Sequence, residues 1–196
     1  MRVKVVSQPT LEPVTLTQAK AHLRVDSSDD DALITRLIEA AREHVENVTR
    51  RAYIQRVYRM TLDEFTEFEL PFPPAISVSS ITYKDAAGTT QTLSTSVYEV
   101  ATDSEMFPGI VRLAYNQEWP ETLDQPGAVT VTWTAGYGSA GSPTDLGQDD
   151  IPEAVKQAIL IVLGDLYENR EARTDLAKYR NPTVDRLLAP YTCYTL

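Results

Sequence analysis

The apolar pattern of this chain changes period twice, and that change limits the fold more than any other feature. Leu33, Ile34, Leu37, Ile38, Ala41, Val45 and Val48 recur at steps of three and four, the spacing that lines up side chains on one face of a helix. From Tyr53 the period drops to two. RVYRMTLDEF, VSSITYKDAAG, TQTLSTSVYEV, GIVRLAY and AVTVTWTAGYG are rich in Val, Ile, Thr and Tyr and are separated by Pro and Gly, which predicts strands. The helical period returns with Val155, Ala158, Ile159, Val162, Leu163 and Leu166. Helical stripes on either side of a strand-rich insert must pack on each other across it, since each would otherwise face water. The expected fold class is therefore α+β: a core of long amphipathic helices with an inserted antiparallel β-sheet or small barrel. Residues 1–52 and 151–179 are expected to form the helical core, 53–150 the strand-rich insert, and 180–196 a C-terminal arm.

Local signals set the ends of these elements. Thr15 with Gln18 three residues later makes a capping-box pattern, in which each side chain satisfies a free backbone N–H at the other residue. It predicts a short helix with Leu16, Ala19 and Leu23 on one face. Ser28 reads as the N-cap of the next helix, with Asp29, Asp30 and Asp31 in its first turn, where the helix dipole favours negative charge. That helix runs to about Arg51. Asp150 and Glu153 repeat the capping pattern around Pro152, a residue whose missing N–H costs nothing in a first turn. Asp85–Gly88 reads as a hairpin turn, Pro71, Pro73 and Pro74 as the way into the sheet, and residues 139–148 as the way out. Pro182 and Pro190 bound a last short helix.

Composition narrows the function. The chain is 42% hydrophobic and 23% charged, within the range of globular proteins. It contains no run of the ~18 apolar residues that a membrane helix needs, and its first ten residues lack the apolar core of a signal peptide. These features lead to the expectation of synthesis in a cytoplasm and no membrane partner. Cys193 is the only cysteine, so no disulfide can form within the chain, and a packing role is expected. His22 and His44 fall on predicted helices without an HExxH spacing. The net charge of −10 is unevenly spread: residues 53–150 hold four Lys/Arg against fourteen Asp/Glu, while the segments before and after are balanced. A free-standing nucleic-acid binder needs a basic stripe, and no such stripe is visible along the sequence.

No reactive constellation emerges. Asp26–Asp31 has the clustered carboxylates of a calcium loop, but Asp31 stands where the loop needs Gly and Leu37 where it needs a bidentate Glu. Glu67 and Glu69 would share a strand face as an acid/base pair. Only Trp119 supports that hydrolase reading. There is no GxSxG elbow, and Gly136, Gly138 and Gly141 lack the lysine and following helix of a phosphate loop. The expectation is a protein that is not an enzyme, with no cofactor and no metal. A second reading is a carbohydrate-binding or adhesion module that uses Tyr115, Trp119, Trp133 and Tyr137 as stacking platforms.

Four blocks in order, PVTLTQAKAHLRVD, DDDALITRLIEAAREHVENVTRRA, AVTVTWTAGYG and IPEAVKQAILIVLGDLYENRE, resemble the head-tail connector (adaptor) family of long-tailed bacteriophages and gene transfer agents. The likeness spans essentially the whole chain, and its first two blocks are the most specific. It implies a structural virion protein at the head-tail junction. Its subunits would form a dodecameric ring that binds the portal protein on one side and a stopper or tail-completion protein on the other. DNA would pass through the channel without sequence-specific binding. On this reading Leu37, Ile38, Arg42, Val45, Arg50 and Arg51 are candidate subunit contacts, and Leu187, Leu188, Tyr191, Tyr194 and Leu196 candidate portal-docking anchors of an arm too poor in apolar residues for a core of its own.

Overall fold

The computed structural model describes residues 2–7, 9, 11–102, 106–137, 150–169 and 181–193. Along these residues run β1 (Arg2–Val5), α1 (Leu16–Leu23), α2 (Asp31–Thr49), β2 (Arg56–Leu62), β3 (Phe68–Leu70), β4 (Ala75–Lys84), β5 (Thr90–Thr92), β6 (Tyr98–Ala101), β7 (Gly109–Leu113), β8 (Val129–Ala135), α3 (Glu153–Glu168) and α4 (Pro182–Leu188). The fold class is α+β.

The capping box at Thr15 forms: Gln18 N–H donates to Thr15 Oγ1 at 3.2 Å, and Thr15 N–H donates to Gln18 Oε1 at 2.8 Å. The other two helix starts differ from expectation. α2 begins at Asp31 behind Asp30, and Ser28 instead closes a turn by accepting Asp31 N–H at 3.2 Å. The Asp30 carboxylate accepts the Tyr167 hydroxyl of α3 at 2.6 Å, so it ties two helices together rather than capping one. α3 begins at Glu153 because Pro152 is extended (ψ 134°), which leaves Asp150 out of capping register. The Pro152 carbonyl accepts the Val155 and Lys156 N–H groups.

The helices share one apolar cluster. Ile34, Ile38, Ala41 and Val45 of α2 meet Val155, Ala158, Ile159 and Leu163 of α3, with Ala19 of α1 and Val184 and Leu188 of α4. The two predicted stripes thus pack on each other across the strands. α4 closes the same core, and a 3-10 turn at Ala189–Tyr191 follows it.

The strands form two open antiparallel sheets, five-stranded in the order β1-β2-β8-β4-β5 and three-stranded in the order β3-β7-β6. The expected barrel alternative is therefore corrected. After Leu62 the chain leaves the first sheet and starts a second, so β1 and β5 remain edges that never pair. Alternation along β2 and β8 buries Tyr58, Met60, Val129, Val131 and Trp133, and these meet Phe68, Leu70, Tyr98 and Val111 of the other sheet in a second apolar cluster. The Asp85–Gly88 turn is present, with Gly88 at φ +80° and Asp85 Oδ1 accepting the Ala87 and Thr89 N–H groups. Pro71, Pro73 and Pro74 sit between β3 and β4, at a corner inside the strand region. Residues 139–148 lie outside the described residues.

Candidate functional site: buried charge and an apolar groove at the end of α2

The last two turns of α2 bring charge into the junction between the two cores. Arg42, fully buried, donates from Nη1 to Glu46 at 2.8 Å and from Nε to Glu12 at 2.7 Å. Glu46 also accepts from Arg56 Nη2 at the start of β2 and from the Tyr53 backbone N–H at 3.1 Å. The cluster joins the N-terminal segment to α2 through Glu12 and α2 to the first sheet through Glu46. Two carboxylates facing two guanidinium groups let the charges be buried together, whereas either sign alone would be strongly disfavoured there. Burial raises the Glu12 carboxyl above its ordinary range and outweighs the opposing pull of Arg42.

α2 ends at Arg50, which takes the left-handed conformation (φ 55°), its N–H donating to the Glu46 carbonyl. Beyond it, Arg51 is buried and its Nη1 lies 3.5 Å from the Tyr191 carbonyl. Asn47, Arg50, Phe68, Glu69, Phe72, Pro73, Pro108 and Cys193 line a groove of about 650 Å³ beside this helix end. Phe107, 61% exposed, and Met106 stand nearby in sequence. Cys193 is buried, its N–H donates to the Thr49 carbonyl at 2.8 Å, and burial pushes its thiol up, which keeps it protonated.

The six candidate subunit contacts divide. Ile38 and Val45 lie in the helical core and Leu37 packs against it, Arg42 centres the ion cluster, Arg51 is buried, and Arg50 is exposed on the groove. Among the docking candidates, Leu188 is 1% exposed inside the helical core and Leu187 and Tyr191 pack against that core. Tyr194 and Leu196 lie outside the described residues. Glu46, Arg56 and the groove residues Phe68 and Phe72 were not singled out in the sequence. The step of four from Arg42 to Glu46 carried a usable signal for Glu46 alone.

The remaining candidates are not brought together. Trp133 is fully buried, Tyr137 stacks on Tyr53 in the helical core, Trp119 stacks on Phe65 at 5.0 Å, and Tyr115 is exposed. Four aromatics so dispersed make no common stacking platform. Glu67 and Glu69 are both exposed. His22 and His44 are exposed on α1 and α2. Asp31 pairs with Lys20 at 2.6 Å, so the acidic run serves helix contacts. Among the described residues no group of three or more His, Cys, Asp or Glu could hold a metal ion, and no helix is long and apolar enough to cross a membrane. Gly136 is needed for a close approach: at φ +121° it lets β8 pass Ile54, whose carbonyl a Cβ would meet at 2.5 Å. Gly138 and Gly141 lie outside the described residues.

The polar side chains at the junction of the two apolar cores thus hold elements together. Residues 13–109 match the family described as phage gp6-like head-tail connector protein. The fold of the chain is similar to chains in the neck of an empty gene transfer agent particle computed with C6 symmetry (TM-score 0.79) and in the virion of a native gene transfer agent particle (TM-score 0.77). A third similar chain comes from the neck of a native particle computed with C12 symmetry (TM-score 0.73). Each match is 22% identical and covers 100% of this chain and 97% of the other. No curated protein matches the chain in sequence.

Proposed function

We propose that this chain is a non-catalytic connector subunit of a phage-like particle. It assembles as a ring at the head-tail junction, binds the portal on one side and a stopper or tail-completion protein on the other, and lets DNA pass through its channel. The observation that carries the reading is the fold likeness over the full chain to neck proteins, joined to the family match in its N-terminal half. A twelve-fold ring is supported by the C12 symmetry of one such neck. Head-to-tail contacts close into a ring when the rotation per subunit divides the circle.

Leu37 and Arg50 are the candidates on α2 that remain accessible to a neighbouring subunit, since Ile38, Arg42, Val45 and Arg51 are buried within this chain. Of the expected units, the helical core (1–52, 151–179) gives β1 to the strand-rich part (53–150) and takes in α4 from the arm (180–196), and the end of that arm is proposed to face the portal. Imaging particles that carry a tagged copy tests it. The tag should decorate the neck, and particles made without the chain should be DNA-filled heads lacking tails. Tag density elsewhere, or normal tailed particles without the chain, would sink the reading.

A further inference from the structure

The outer face of the five-stranded sheet carries a charge distribution opposite to that of the whole chain. Residues paired directly across antiparallel strands point to the same side. The rows opposite the buried one can therefore be read from the register. Arg2, Thr61, Thr130, Thr82 and Thr92 form one row across all five strands. Lys4, Arg59, Thr132 and Ser80 form the next. Val57, Thr134 and Ser77 form a third, and Lys84 pairs with Thr90 at the far end. Four cations and nine hydroxyls occupy these rows, with no carboxylate and one apolar side chain. None of the four cations forms an ion pair among the described residues. The nearest carboxylates in sequence, Asp63 and Asp85, sit at the turns and accept backbone N–H groups there, Asp63 from Gly127 at 2.7 Å.

We infer that this sheet face is a sequence-independent contact surface for the phosphate backbone of duplex DNA. Phosphate contacts come mainly from Arg and Lys with Ser and Thr hydroxyls, the side chains that fill these rows. A protein partner would need aromatic or aliphatic anchors at the centre of its contact, and the face offers only Val57, with the exposed Val6 beside it at the sheet edge. Rows of five strands span ~19 Å, long enough to meet several phosphates of a duplex that carries one charge per ~1.7 Å of axis. With four cations the contact is weak, which suits DNA that must move past it. The inference goes beyond the connector reading and concerns which surface of the chain meets DNA.

The test is titration of a labelled ~30-base-pair duplex with the full chain at 50 and 200 mM salt, followed by anisotropy, alongside sedimentation of the protein alone. Binding should be indifferent to base sequence and should weaken roughly a hundredfold over that range if four phosphates are neutralised. Arg2→Gln/Lys4→Gln/Arg59→Gln should bind more weakly at 50 mM and lose only about threefold over the same range. Lys4→Gln/Lys84→Gln, which leaves Arg59 in place, should fall between, and Arg36→Gln on α2 should match the native chain. Absence of binding at 50 mM, or an unchanged salt dependence in the triple variant, overturns the inference. So does a triple variant that alters self-association while DNA binding stays, because the face would then be docking an acidic surface of a second copy. If DNA binding fails while the tagged chain still decorates the neck, the inference falls and the connector reading stands. If DNA binds but the tag lies elsewhere, the reverse holds.

Discussion

Glu46 receives hydrogen bonds from two buried guanidinium groups and a backbone N–H, so its removal strands two cations. Glu46→Ala is expected to cost about 3–5 kcal/mol, the usual consequence of leaving buried charge unpaired, read as a lower denaturation midpoint. Glu12 is the contrast. Its raised carboxyl means the folded state holds the proton more tightly than the unfolded chain does. Its contribution is therefore most favourable at low pH and falls as pH rises from the ordinary carboxylate value through the raised one. Glu12→Gln should cost far less than Glu46→Ala and should flatten stability against pH in that window; an equal loss, or an unchanged pH profile, would contradict this. Gly136→Ala should cost about 2–4 kcal/mol, from a strained φ and from collision with the Ile54 backbone. Of these residues the sequence made only Arg42 and Gly136 visible, and for other reasons. Arg42 was assigned to a partner surface because its partner Glu12, and the Arg56 that shares its partner Glu46, come from other segments, and no local pattern announces them.

At the scale of elements, the Thr15 cap holds α1 against α2 and α3, and Thr15→Ala should cost about 1 kcal/mol, with amide exchange accelerating first in α1. Uniform acceleration across α2 and α3 would argue against a local role. α2, α3 and the long strands β2, β4 and β8 were legible because each runs through enough residues to show its period. β1 and β3 were not. RVKV and FEL are four and three residues long, too short for alternation to stand out, and both lie at sheet edges where packing rather than pattern selects them. The basic sheet face was hidden for a related reason. Summing charge over residues 53–150 merges the cations of this sheet with carboxylates that lie elsewhere, among them Asp63 and Asp85 at turns and Glu69 and Glu99 on the other sheet, and Arg2 and Lys4 join that face only through a pairing that the sequence did not suggest.

At the scale of the whole molecule, the C-terminal arm has two duties that must be separated before its proposed docking to the portal can be tested. Val184 and Leu188 lie in the helical core, the Tyr191 carbonyl faces Arg51, and Cys193 N–H bonds to Thr49 at the end of α2. Truncation after Tyr179 would remove all of these. It is expected to lower the melting temperature by several degrees, since losing a buried leucine alone costs about 2–5 kcal/mol, and any loss of portal binding would then be uninterpretable. Deleting residues 194–196 instead removes the candidate anchors Tyr194 and Leu196 without touching those buried contacts. The shortened chain keeps every one of those contacts and should therefore melt close to the native one, while its affinity for portal protein in a pull-down or titration falls at least tenfold. Unchanged portal binding by this chain would move the docking role off the terminus. An unchanged melting temperature after the longer truncation would instead show that α4 adds little to the helical core it closes.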